Sequence, residues 1–502
     1  MLAGIAIMRL QSVRLSWCIV GFSVALSSCM MGPNFHPPKA PETTSYTESP
    51  QPVKTVHIRH AGNAGKSQQF VVGQDIPAAW WELFHSQAIN DLVQLGLNNS
   101  PNLASAKATL TQAKENVNAQ VGSTLFPQVT ASLGGQRERF NAAALGGGGS
   151  SSIFNLYNAT VNVSYTLDVF GSARRGIESL AATVDYERFE LDAAYLTLTS
   201  NIVTTAVTVA SLEAQVKATQ DIIRYQQDEL TILGKQFKLG GIAGADVLTQ
   251  EAQVAQTRAT LPPLEQSLVQ ARHALAVLVG SLPGDFQMAP INLDKLVLPA
   301  RLPVSLPSEL VRQRPDIQAS EALLHAANAQ VGVATANLFP QFTLSGSYGW
   351  QSTVPSNLFK SGTNLWSWGG SLLQPIFEGG SLRAKRRGAI AAFEFAEAQY
   401  RQTVLQAFQN VADTLRALEH DAEALKAQKD AEISARKSLN ITQQQFRLGG
   451  VNYISLLTAE RSYQVALISR IQAQAARYAD TAALFQALGG GWWNVNSTQA
   501  VS

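Results

Sequence analysis

Between Thr160 and Val169 the chain alternates strictly. Val161, Val163, Tyr165, Leu167 and Val169 fall on one side, and Thr160, Asn162, Ser164, Thr166 and Asp168 on the other. This is the period of a strand with one apolar face. A weaker strand over 128–139 precedes it, and Gly146 to Ser150 lies in the loop between them. A second pair is predicted where Phe342, Leu344, Tyr348 and Trp350 alternate with Thr343, Ser345, Ser347 and Gly349, followed by a strand around Trp366 to Gln374. Elsewhere the period is helical. From about Ala173 to Leu239, positions including Leu191, Leu198, Ile202, Val209, Thr219, Ile223, Leu230 and Phe237 keep a 4-3 spacing, the seam of a coiled coil. At 1.5 Å per residue that helix is about 100 Å long, longer than an ordinary globular core can cover.

A second long helix is predicted from about Leu382 to Leu448, and shorter ones over 86–98, 101–124, 246–280, 315–338 and 453–488. Pro262-Pro263 is expected to interrupt the third of these, because a proline pair removes two backbone donors. The phrase Gln236-Phe237-Lys238-Leu239-Gly240-Gly241 returns as Gln445-Phe446-Arg447-Leu448-Gly449-Gly450, each time ending a long helix before another begins. A glycine there can take the left-handed conformation that closes a helix, so each phrase reads as the tip of a helical hairpin. Leu125-Phe126-Pro127-Gln128 likewise returns as Leu338-Phe339-Pro340-Gln341. The chain is therefore a duplication, each half holding one strand hairpin and one long helical hairpin.

The halves divide the chain into a signal segment (1–28), an arm (29–85), a first repeat (86–281, strand hairpin 126–170), a connector (282–308), a second repeat (309–488, strand hairpin 340–377) and a tail (489–502). The arm, rich in Pro, Thr, Ser and Gly from Gly32 to about Gln74, reads as an extended tether. In the connector, Pro283, Pro290, Pro299, Pro303 and Pro307 argue against both a helix and a central strand.

Arg9 and Arg14 followed by an apolar run form a signal-peptide pattern that ends at Leu26-Ser27-Ser28-Cys29. That end resembles the lipobox of bacterial lipoproteins, in which Cys29 is acylated and Cys18 discarded with the signal. Acyl chains hold a protein to a membrane by burying methylenes at about 0.8 kcal/mol each. Met30, in place of a retaining aspartate, matches lipoproteins sorted to the outer membrane. No later stretch is an uninterrupted apolar run of spanning length, so a membrane would have to be crossed by strands. Four strands cannot close a barrel, and open edges cannot face hydrocarbon, whereas three chains would close one of 12 strands.

The chain has only 15% charged residues and a net charge of +2, which gives no footprint for nucleic acid. The seven histidines are scattered. His57 and His60 sit in the arm as solvated loop residues, and His273 and His325 stand alone on helices, so no metal, cofactor or catalytic constellation emerges. The basic cluster Arg383, Lys385, Arg386 and Arg387, with its echo Arg174-Arg175, opens the two long helices and reads as a solvated face.

Arg314-Pro315-Asp316-Ile317 with Ala319, Glu321, Leu324, Ala326-Ala327-Asn328-Ala329, Val331-Gly332-Val333-Ala334 and Phe339-Pro340 resembles the signature of the TolC-like outer-membrane efflux ducts. Leu261-Pro262-Pro263-Leu264-Glu265, Pro375-Ile376-Phe377 before Gly379-Gly380, and Cys29 near Gly32-Pro33-Asn34-Phe35 resemble their OprM/NodT lipoprotein branch. The resemblance covers essentially the whole mature chain. It implies a mixed α/β membrane protein: a homotrimer with a 12-stranded outer-membrane β-barrel, a periplasmic α-helical barrel and an equatorial collar. It also implies a periplasmic adaptor and an inner-membrane pump of the resistance-nodulation-division class as partners, small amphiphilic cargo and no enzymatic step.

In that family the periplasmic constriction lies just beyond the second tip, often with a ring of aspartates. By position Ser455 and Thr458 stand there in this chain, both neutral, and Asp246 after the first tip is the nearest acid. The expected gate therefore comprises Gly240, Gly241, Asp246, Gly449, Gly450, Tyr453, Ser455, Leu456 and Thr458, closing by narrowness and contact. A type I protein-secretion duct, and a lipid-tethered coiled-coil envelope spacer or adhesion protein without a channel, are the alternative readings.

Overall fold

The computed structural model describes residues 30–140 and 151–494. The signal segment with Cys18, the lipidation candidate Cys29, the glycine run at 146–149 and residues 495–502 lie outside the described residues. Helices are α1 (Gln87–Asn99), α2 (Pro101–Thr124), α3 (Ser172–Lys238), α4 (Gly244–Leu278), α5 (Pro307–Gln313), α6 (Pro315–Ala336), α7 (Ser381–Arg447) and α8 (Tyr453–Ala487). Strands are β1 (Gln69–Val72), β2 (Gln128–Phe140), β3 (Ser152–Leu167), β4 (Arg301–Val304), β5 (Gln341–Ser352) and β6 (Asn364–Leu373). The chain divides into two compact units, one formed by 1–38, 109–187 and 319–400 and the other by 39–108, 188–318 and 401–502.

The first unit is built on an antiparallel sheet of order β2-β3-β5-β6, in which the hairpin of each repeat pairs with the other through β3 and β5. β3 ends at Leu167, two residues short of the alternating run. Asp168 leaves the strand because its carboxylate accepts from the backbone N–H groups of Ala173 and Arg174, satisfying donors exposed at the start of α3.

The echo Arg174-Arg175 is not one solvated face. Arg174 pairs with Asp168, but Arg175 is 2% exposed. Its guanidinium donates to the Met31 carbonyl (3.3 Å), to Asn34 Oδ1 (2.8 Å) and to Glu178 (2.7 Å). Gly32, with φ +93°, lies so close to Gly332 that a Cβ would come 2.5 Å from its Cα. The residues just after Cys29 are thus fastened to the start of α3 and the last turns of α6. His325 also has partners, stacking on Phe35 with ring centroids 4.4 Å apart and meeting Glu178 at 3.0 Å.

The second unit has the larger core, and the arm from Lys39 onward belongs to it. Ile58, Phe70, Ile76, Trp80, Trp81 and Phe84 are buried there with Ile202, Val209, Leu275, Leu415 and Phe485, and Trp80 stacks on Phe485 at 5.3 Å. β1 of the arm pairs in parallel with β4 of the connector, Val71 opposite Pro303. A proline fits because β4 is an edge strand of a two-stranded sheet, so its outer side needs no backbone donor. Arm and connector are therefore packed structure, where the sequence suggested a free tether and an irregular link.

Pro262 and Pro263 do not break α4, which runs on through both. Their neighbours Arg258, Ala259 and Thr260 are exposed, so solvent can satisfy the carbonyls that lose their helical donors. α3 contains an 18-residue window apolar enough by composition to cross a membrane, but 56% of that window is buried in the chain's own fold.

Candidate functional site

Two places combine conspicuous surface chemistry with predicted function. The first is the β2-β3-β5-β6 sheet, whose register sorts side chains onto two unlike faces. Ala131, Val161, Tyr348 and Trp366 form one row across all four strands, and Val129, Val163, Gly346 and Trp368 another. Thr130, Asn162, Ser347 and Ser367 form a row on the opposite face. The apolar face is open in the single chain, with Leu133 78% and Trp368 82% exposed. On the polar face, hydroxyls bond across strands, Ser132 to Thr160 and Ser347 to Ser367, each at 2.8 Å. β2 and β6 keep unpaired edges, and every strand has the roughly 9–11 residues a spanning strand requires, or more. Such a sheet satisfies an apolar solvent on one side and water on the other, provided its edges are closed.

The second place is the pair of helical tips. Gly240 and Gly449 adopt φ of +75° and +74°. At the first tip Gly241 N–H donates to the Gln236 carbonyl (2.8 Å) and Gly240 N–H to that of Phe237 (2.9 Å). At the second, Gly450 N–H donates to Gln445 (2.8 Å) and Gly449 N–H to Phe446 (3.0 Å). These are matching Schellman closures, as the repeated phrase predicts.

The tips share a small core in which Leu233, Tyr453, Leu456 and Leu457 are buried against Ile242, Val247, Leu439 and Phe446. Tyr453 and Leu456 therefore point into the chain's own interior, unlike the expected gate surface, whereas Ser455 and Thr458 are exposed. Helical geometry separates them: 453, 456, 457 and 460 share one face of α8, and 455 and 458 lie on another. The Ser455 hydroxyl donates to Asn452 Oδ1 (2.8 Å), part of the cap of α8, and that of Thr458 to the Ile454 carbonyl (2.8 Å). Asp246 is half-buried in the first turn of α4, where a negative charge suits the helix N-terminus.

Polar links join the two hairpins near this core. The Tyr453 hydroxyl donates to Gln250 of α4, and Gln443 of α7 donates to the Tyr225 hydroxyl of α3. Arg461 of α8 donates to Gln253 (2.6 Å) and Gln256 (3.1 Å) of α4. Sequence reasoning named Tyr453 but missed its partners and the other links, and also Glu460, which lies opposite Glu229 of α3. A visible signal existed, since an acid at 460 continues the apolar stripe of Tyr453, Leu456 and Leu457. Burial, reinforced by Glu229, pushes the Glu460 carboxyl well above the usual carboxylate range. Tyr453 is raised by burial first and then by Glu460, Glu229 and Asp246.

The raised Glu460 has a signed consequence for stability. The folded chain keeps that proton to higher pH than the unfolded chain, so folding stability should fall as pH rises above the ordinary glutamate range. Asp421, pushed up to about 7 by burial and Asp480, acts in the same direction. Glu460→Gln should therefore melt closer to wild type at pH 5 and progressively above it by pH 8. Parallel melting curves across that range would refute the shift.

Among the described residues no cluster of three or more His, Cys, Asp or Glu could hold a metal. Arg383, Lys385, Arg386 and Arg387 are exposed, with Arg386 donating to Thr335 Oγ1 at 3.3 Å.

The sequence family described as outer membrane efflux protein matches residues 92–281 and 306–490. The chain is 28% identical over 472 residues to the probable efflux pump outer membrane protein TtgC of Pseudomonas putida, covering 93% of this chain and 94% of that one. It is 30% identical over 421 residues to the pyoverdine export outer membrane protein OpmQ of Pseudomonas aeruginosa, covering 82% and 87%. The solved outer-membrane channel OprN superposes with a TM-score of 0.81 at 28% identity, covering 92% of this chain and all of that one.

Proposed function

Because this chain belongs to the outer membrane efflux protein family, we propose that it is the exit duct of a tripartite efflux system, closed at its periplasmic end by the paired helical tips. The protein is an outer-membrane efflux component with a TolC-like fold. The observation that carries the duct reading is the two-faced sheet with unpaired β2 and β6 edges. Three copies joined edge to edge would close a 12-stranded barrel with the apolar rows toward lipid and the hydroxyl rows around water. Trimerisation would also bring six tips, marked by Gly240-Gly241 and Gly449-Gly450, around one mouth.

At that mouth Ser455 and Thr458 offer neutral surface, while Tyr453 and Leu456 would act from behind by fixing the position of α8. The ties from Arg461 to Gln253 and Gln256 hold one hairpin against the other and so favour a narrow mouth. A periplasmic adaptor and a resistance-nodulation-division pump would supply the partners and the energy, with small amphiphilic compounds as cargo. Acylated Cys29 would add an anchor beside the segment that Arg175 fastens.

One preparation tests this reading. Protein purified from membranes should carry acyl mass on Cys29 and conduct ions across planar bilayers, with low open probability. Arg461→Ala should raise open probability at least about tenfold, since hydrogen bonds to a charged group contribute about 1.5–3 kcal/mol. Asp246→Asn should leave conductance unchanged. A protein that never conducts, even as Arg461→Ala, is a spacer and not a duct.

A further inference from the structure

Near the tips, one group of buried side chains lacks a partner of the charge it needs. Glu460 of α8 is 5% exposed, and neither of its carboxylate oxygens meets a donor. Glu229 of α3 faces it, and its Oε2 is equally unpartnered. Gln226, one helical turn before Glu229, is 1% exposed with both its amide oxygen and its amide nitrogen unpartnered. Acceptors thus converge from two helices with a single amide donor among them, although buried polar groups are almost always hydrogen-bonded.

Three of the surrounding cations are engaged elsewhere. Arg461 bonds to Gln253 and Gln256, and Arg436 and Arg470 both turn to Glu432, at 2.8 and 3.4 Å. The Tyr225 and Tyr453 hydroxyls are committed to Gln443 and Gln250. Among the described residues no cation forms an ion pair with Glu229 or Glu460.

Gln226 and Glu460 also line a cavity of about 700 Å³ bounded by α3, α7, α8 and the connector. Its walls include Ile222, Leu439, Tyr463 and Leu467, and also the cationic Lys217, Arg436 and Arg470. A proton shared by the two carboxyls would satisfy one oxygen on each and leave the Gln226 amide unanswered. A primary ammonium group brings three N–H donors and the missing positive charge, and a hydrocarbon or aromatic substituent on it would have an apolar wall to lie against.

We propose that this cavity binds a primary organic ammonium ion with an apolar tail, its head held by Glu460, Glu229 and the Gln226 carbonyl and its tail lying along Ile222, Leu439 and Leu467. The site lies within one chain, so it stands whether or not the duct conducts. Burial and Glu229 keep Glu460 protonated when the site is empty. Binding RNH₃⁺ therefore releases one H⁺ from the carboxyl pair, and charge balances. The other titratable or charged groups that bear on the pair and its flanking tyrosines are Tyr225 of α3, Asp246 of α4, Arg447 of α7 and Tyr453 and Arg461 of α8.

Calorimetric titration of the full-length detergent-purified protein with phenethylammonium chloride at pH 7.5 tests the proposal. The expected result is saturable binding of one ion per chain, with an enthalpy that differs between phosphate and Tris buffers by the ionisation heat of about one proton per site. 2-Phenylethanol, which keeps the ring and lacks the charge, should not saturate. Glu460→Gln should weaken binding at least about tenfold, the worth of a charged hydrogen bond. Leu467→Trp, which fills the cavity and leaves both acids in place, should do the same. Absence of saturable binding by the wild type overturns the proposal, even if the empty site titrates with pH. So does equal binding of the alcohol, or undiminished binding by either variant.

Discussion

Replacing Val161 with arginine is expected to keep the protein from assembling in the outer membrane, whereas the same change at the adjacent Thr160 should be tolerated. Val161 lies near the middle of β3, flanked by Ala131 of β2 and Tyr348 of β5 on the apolar face. An arginine facing lipid at mid-depth destabilises a barrel by about 2–4 kcal/mol per copy. Repeated in three copies of a trimer, this approaches the whole stability of an ordinary fold. Thr160 sits one residue away with its side chain on the hydroxyl face, across from Ser132. Thr160→Arg therefore puts its charge in water, where it should lower cation conductance without preventing assembly. Membrane fractionation with trimer analysis, followed by conductance of whatever assembles, reads both outcomes. Normal assembly of Val161→Arg together with failure of Thr160→Arg would mean that the two faces have been assigned the wrong way round.

Loss of Arg477 should be nearly as damaging, at a site far removed in sequence from the segment it holds. Arg477 of α8 is 0% exposed, and its guanidinium donates to the Ala64 carbonyl, to the Lys66 carbonyl at 2.8 Å and to Thr55 Oγ1 at 3.0 Å. Burial lowers its pKa to about 10, so it remains charged at neutral pH. Arg477→Met has similar length but leaves the buried Ala64 carbonyl without its donor, at about 1–3 kcal/mol, takes one donor from Thr55 Oγ1 and from the part-buried Lys66 carbonyl, and removes the cation that moderates Asp421. A loss of about 3–5 kcal/mol is expected, concentrated in the arm. The matching readout is limited proteolysis of folded protein, because global unfolding of a multi-unit membrane protein is not two-state. New cleavage between 55 and 70 at native conditions supports this account. An arm in Arg477→Met as resistant as in wild type would show that packing of Trp80 and Phe84, not the guanidinium, holds it.

The features legible in the sequence are those set by short-range backbone physics. Alternation from Thr160 to Leu167 assigned each side chain to a face before the partner strands were known, because a strand repeats every two residues. Gly240 and Gly449 announced left-handed helix closures, since few other residues adopt that conformation without strain. The 4-3 spacing along α3 marked a face that is now buried at Leu198, Ile202, Val209, Thr219 and Ile223. Where the periodicity failed, a specific side chain had intervened, as when Asp168 left the strand to cap α3.

Other assignments depended on partners hundreds of residues away. Nothing local in Gln69–Val72 indicates that it will pair with Arg301–Val304, because two short strands gain their register only when a common core aligns them. Arg174 and Arg175 are chemically identical neighbours, yet one stays near solvent and the other is buried against Met31 and Asn34. Tyr453 and Ser455 lie two residues apart and face different surroundings, since each helical residue turns by about 100°. By itself the sequence determined the duplicated hairpins, the two-faced strands and the tips, which follow from periodicity and turn chemistry, and its motifs carried the family resemblance. Only the tertiary structure decided that the arm is core, that Tyr453 and Leu456 are interior, and that Glu229 and Glu460 meet without a cation, because burial and charge pairing depend on which distant segments fold against each other.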